Sequence, residues 1–124
     1  MKIDSLSGLN SRIQQDGFFE SVVGGVNDWD EALDKRDEES FDSAWSEAFE
    51  KLKVIAYPSA DDEKVVRDIR ESVFKKIYAL THSSDVAGYI SDDIGLVADS
   101  ISKSYHIEWV EKLFWLYCAG KFPN

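Results

Sequence analysis

Apolar residues recur three and four positions apart through most of this chain, and no segment shows sustained alternation flanked by hairpin chemistry such as Asn-Gly. That pattern predicts helices. Phe41, Ala44, Trp45, Ala48, Phe49, Leu52, Ile55 and Ala56 mark one helical face. Pro58 ends that helix, and Ser59 with Asp62 reads as an N-cap followed by a first-turn acid. Val65, Val66, Ile69, Val73, Ile77 and Leu80 form the next stripe, which His82-Ser83-Ser84 interrupts. Ser84 or Asp85 can cap a further helix with the stripe Val86, Ile90, Ile94, Val97 and Ile101. A last helix is predicted over 107–119, with Gly120 as its C-terminal cap and Pro123 beyond. Trp109, Val110, Leu113, Phe114, Trp115, Leu116 and Tyr117 cover most of its circumference, so it is expected to sit centrally in the core.

The first third is patterned in shorter pieces. Ile3, Leu6, Leu9 and Ile13 suggest a short helix, Gly17 and Gly24-Gly25 bracket an apolar piece over 18–23, and Asn27 or Asp28 can cap a third piece through Leu33. There is no internal repeat and no linker. With 124 residues, 44% of them hydrophobic and sixteen aromatic, the chain has the material for one packed core. The expectation is an all-α fold: a compact single domain over 1–124, a bundle of five or six helices, with an acidic part at 28–50 and an apolar C-terminal helix at 107–119.

Charge is distributed unevenly. Residues 1–50 hold thirteen acids and four bases, whereas residues 51–124 hold eleven acids and ten bases. Most of the excess lies in one run: Asp28, Asp30, Glu31, Asp34, Asp37, Glu38, Glu39, Asp42, Glu47 and Glu50, opposed only by Lys35 and Arg36. A solvated helix ordinarily mixes signs, because i,i+4 pairs each return a few tenths of a kcal/mol. Two readings are open: a solubilising surface without a partner, or a docking face for a basic protein. A net charge of −10 argues against direct nucleic-acid binding and against anionic membranes, both of which need clustered Lys and Arg. The single cysteine, Cys118, allows neither an internal disulfide nor a cysteine metal cage, and is expected to be buried and unreactive. An acid at position 4 and the lack of a long apolar run predict a soluble cytoplasmic protein.

Motifs for catalysis or cofactors are missing from the sequence. Asp28-x-Asp30 with Glu39 at the twelfth position superficially matches a calcium loop, but Leu33 stands where that loop needs glycine. Asp92 and Asp93, with Asp99 two turns on and sharing the face of Asp92, are the carboxylates most able to act as acid and base or to bind a divalent ion. No histidine or third ligand accompanies them, and His82 and His106 lack the spacing of a zinc site or triad. The expectation is a non-enzyme with neither metal nor cofactor. Tyr89, Asp92, Asp93 and Asp99 are instead weighed as a second contact patch, against the alternative that the aspartates hydrogen-bond internally and Tyr89 packs in the core.

The run from Ala87 to Asp99 (AGYISDDIGLVAD), then Trp109-Val110, Leu113 to Tyr117 and Gly120-Lys121-Phe122-Pro123, resembles small bacterial immunity proteins. These are the antidotes encoded beside contact-dependent growth-inhibition and related polymorphic toxins. The likeness spans roughly residues 67–123 and leaves the acidic first half unmatched. It implies a cytosolic single-domain protein, a monomer or weak dimer, that binds and neutralises a cognate toxin domain. A nuclease toxin must be basic to grip phosphates, which suits the acidic half. The alternative class is an acidic helical adaptor or regulatory module that binds a basic partner without inhibiting an enzyme. On either reading the predicted partner-binding residues are Asp28, Asp30, Glu31, Asp34, Asp37, Glu38 and Glu39, joined by Tyr89, Asp92, Asp93 and Asp99.

Overall fold

A computed structural model describes residues 3–124, and among these no strand occurs. Seven helices follow one another: α1 (Leu6–Ile13), α2 (Phe18–Gly24), α3 (Trp29–Arg36), α4 (Glu39–Lys53), α5 (Ala60–Thr81), α6 (Ser84–Ser102) and α7 (Glu108–Cys118). The all-α expectation holds, while the count of five or six does not. All three short N-terminal pieces form separate helices. Gly17, at φ +83°, turns the chain between α1 and α2, a conformation glycine adopts without strain.

Hydroxyl and carboxylate caps set the starts of four helices. The side chains of Ser5, Asp28, Ser59 and Ser83 accept from the backbone N–H groups of Gly8, Glu31, Asp62 and Val86. The cap of α6 is thus Ser83, one residue before the predicted Ser84. The break ahead of it comes from His82, which ends α5 in the left-handed region at φ 56°. Helix α4 stops at Lys53, so Ile55 and Ala56 fall beyond it.

The core is organised around α6. It forms a helical hairpin with α5 through a two-residue turn and also packs on α1, α4 and α7. Eleven of its nineteen residues are buried, including Ala87, Ser91, Gly95, Ala98 and Ser102, small residues that let neighbouring helices approach. At Gly95 a Cβ would lie 2.7 Å from Cδ of Arg70 on α5. This corrects the expectation for the last helix. Helix α7 buries Val110, Leu113, Phe114 and Tyr117 but leaves Trp115 50% exposed and Leu116 39% exposed. Size and polarity decide the difference, because a central position needs small residues as much as apolar ones. Cys118 is only half-buried, although that burial still pushes its thiol up.

After α7 the chain turns at Gly120, φ +73°, and runs back over α3. Phe122 packs edge-on against Trp29 with ring centroids 5.1 Å apart, and Phe122 and Pro123 are both buried. The described helices include none long and apolar enough to cross a membrane.

Candidate partner-binding surface

Helices α3 and α4 carry the acidic run. Every acid from Asp28 to Glu50 is exposed. Lys35 pairs with Glu31 at 3.9 Å and Lys51 with Glu47 at 3.1 Å, in each case one turn along a single helix. Asp30, Asp34, Asp37, Glu38, Glu39, Asp42 and Glu50 make no ion pair among the described residues.

The second base of the segment, Arg36, has left the surface. Its side chain is 4% exposed, and NH1 and NH2 donate to the two carboxylate oxygens of Asp93 at 2.9 and 2.8 Å. NH1 also donates to the Pro123 carbonyl at 3.2 Å. The guanidinium carbon lies 4.3 Å from the Phe41 ring centroid, 5.1 Å from that of Phe122 and 5.3 Å from that of Tyr89. The surface between 28 and 50 therefore presents ten acids and a single base, Lys35. Folding makes this face more acidic than its composition.

Asp93 is fully buried, which corrects its place among the predicted partner-binding residues and agrees with the alternative of internal hydrogen bonding. It accepts from Arg36 on α3, from Trp45 Nε1 on α4 at 2.9 Å and from the Tyr117 hydroxyl on α7. Complete burial pushes its pKa up, while Arg36, Tyr117 and Trp45 pull the other way. Burial likewise works against the charge on Arg36, but the Asp93 carboxylate more than offsets it and holds the guanidinium above its ordinary value. Asp93 thus ties three helices to the centre of α6. It contacts no solvent.

Its neighbours on α6 differ. Asp92 is exposed and pairs with Arg70 of α5 at 2.6 Å. Tyr89 is half-buried, and its hydroxyl donates to Asp37 at 3.4 Å, linking α6 to the α3–α4 corner. Partial burial and then the Asp37 charge raise the pKa of that phenol. Asp99 lies a helix turn and more beyond and accepts from Tyr57 at 2.6 Å, so it is engaged within the fold.

Two depressions lie where α4 meets α6. One, of about 250 Å³, is bounded by Asp37, Phe41, Asp42, Trp45, Tyr89 and Asp92, with Arg36 and Asp93 beneath. The other, of about 280 Å³, runs from Trp45 and Phe49 to Tyr57, Arg70 and Asp99. Of the sequence-predicted residues, the first depression gathers Asp37, Tyr89 and Asp92, with the buried Asp93 beneath them. Asp28, Asp30, Glu31 and Asp34 lie apart from it on α3, Asp28 being engaged as the N-cap. Phe41, Trp45 and Arg36, which also line it, were not predicted as site residues. The available signal was small: Arg36 is one of two bases in a run of acids, and Phe41 and Trp45 carry the stripe of α4. Among the described residues, no group of three or more His, Cys, Asp or Glu could hold a metal ion.

Comparison with curated proteins finds no match for this chain. The sequence pattern of the family described as Immunity protein PIM1 matches residues 8–124, a span that takes in the acidic helices, the buried Arg36–Asp93 pair and the C-terminal return. The chain therefore belongs to the immunity protein PIM1 family.

Proposed function

We propose that this protein neutralises a basic toxin domain, of the nuclease class, by binding it through the acidic face of α3 and α4. The observation that carries the reading is the excess of ten exposed acids over one exposed base between residues 28 and 50. Such a face draws a positively charged partner into encounter and raises association rates by roughly 10- to 1,000-fold. A nuclease must hold phosphates with lysine and arginine, so an acidic protein competes for the surface that its substrate uses. The inhibition is stoichiometric and needs no catalysis by the immunity protein. It operates in the cytoplasm of the toxin-producing cell and of its kin, where a contact-delivered toxin acts, with the immunity protein as a monomer or weak dimer. Within this reading Asp30, Glu31, Asp34, Asp37, Glu38 and Glu39 steer the partner, and Tyr89 and Asp92 extend the contact onto α6.

The test is co-expression with a candidate cognate toxin domain. Growth is expected to be restored by the intact protein, with a one-to-one complex recovered from the cells. Unrestored growth alongside tight association with other basic proteins would replace immunity by an adaptor role.

A further inference from the structure

The acidic face carries a groove with more specific chemistry than its charge. The two depressions along α4 and α6 meet at Trp45 and Asp92, which line both. Beneath them, Arg36 shows what these walls accept: a guanidinium set between aromatic rings and held by a carboxylate through two N–H bonds. The open side of the groove carries the same two kinds of group, Phe41 and Tyr89 being the rings that also contact Arg36. Phe41, Trp45 and Tyr89 supply rings, and Asp37 and Asp42 supply carboxylates with no ion-pair partner among the described residues.

We propose that this groove receives an arginine side chain carried on a loop of the basic partner. A guanidinium is flat, so it can stack on a ring while its edge donates to a carboxylate in a fork, and a lysine ammonium cannot do both. An apolar side chain would instead bury the Asp37 and Asp42 charges without a counter-ion, at a cost. A second feature fits a loop better than a free cation. Arg36 lines the groove, and its Nε–H is a buried donor with no acceptor among the described residues. A loop brings main-chain carbonyl oxygens along with its arginine. The inference rests on the chain being a binder of a basic protein, yet the groove can be tested apart from any toxin.

The experiment has two arms and two charge-matched variants. Asp37→Asn with Asp42→Asn removes two charges from the groove, and Glu47→Gln with Glu50→Gln removes two from α4 outside it. In the first arm, hexa-arginine and hexa-lysine peptides are titrated into the isotope-labelled protein, with the Trp45 indole N–H and the Tyr89 amide as reporters. Hexa-arginine is expected to shift both signals and to bind more tightly than hexa-lysine. The groove variant should weaken it about tenfold, and the α4 variant by about twofold or less. Equal affinity for the two peptides, equal losses in the two variants, or shifts confined to α3 would overturn the proposal. In the second arm the same variants are tested for binding to the cognate toxin domain. Equal binding by both variants and the intact protein would remove the groove while leaving immunity in place. No toxin binding by the intact protein would remove immunity, and the peptide titration would still decide the groove.

Discussion

Arg36 and Asp93, 57 residues apart in sequence, form a buried bidentate ion pair at the meeting point of α3 and α6. Trp45 and Tyr117 donate to the same carboxylate, and the Pro123 carbonyl accepts from the same guanidinium, so α3, α4, α6, α7 and the C-terminal return converge on one group. The pair holds the acidic helices in fixed relation to the groove. It also withdraws a positive charge from the face that carries the proposed function.

Replacing Asp93 with asparagine should destabilise the fold by about 3–5 kcal/mol, because it leaves the Arg36 charge buried without its counter-ion. Denaturant unfolding of the purified variant measures this. A loss below about 1 kcal/mol would mean that the interior admits water or rearranges around Arg36.

Alkaline pH should weaken the protein through its tyrosines. Burial and then Asp99 raise the pKa of Tyr57, and burial and then Asp93 raise that of Tyr117 well above the ordinary phenol value. A group whose folded pKa is raised stabilises the fold fully below its unfolded value and loses that contribution as pH rises toward the folded value. Stability should therefore decline above about pH 10, where the unfolded phenols ionise first. An ultraviolet titration of the native protein should show Tyr57 and Tyr117 still protonated there, and Tyr57→Phe should flatten the decline. Full ionisation of all five tyrosines at the ordinary value in the folded protein would contradict the burial described.

Gly88→Ala should stabilise α6 by about 0.4–1 kcal/mol, since alanine reduces the freedom of the unfolded chain. The added Cβ meets nothing within 4 Å, and the backbone there is ordinary helix. Gly120→Ala is expected to go the other way, because its φ of +73° is strained for any residue with a Cβ and Ser21 lies 3.3 Å from the added atom. Thermal melts of the two variants in opposite directions would support both assignments.

The sequence displayed this architecture unequally. Ser59 and Asp28 announced helix starts because capping is a local matter, settled within three residues. Gly17 and Gly120 marked turns for the same reason. What failed was the choice of the central helix. The apolar density of α7 outweighed the small residues of α6, whose value lies in the close approach of α5 at Gly95 and is visible only once both helices are placed. For Asp93 the internal hydrogen-bonded alternative holds, and its partners were hidden for a related reason. Its position on the apolar side of α6, between Ile90 and Val97, was readable, but the three donors that make burial tolerable come from positions 36, 45 and 117. No local pattern links them. The acidic face was legible because exposure of charge is the default that folding had only to leave intact.

The central claim is that electrostatic attraction to α3 and α4 brings the toxin onto this protein, and the association rate tests it most directly. In stopped-flow mixing with the cognate toxin domain, amide replacement of Asp30, Glu31, Asp34 and Glu38 should slow association about tenfold or more. Raising salt should slow the intact protein in the same way and affect the variant much less. An association rate indifferent to both the four substitutions and salt would contradict the account and remove this face from the interface.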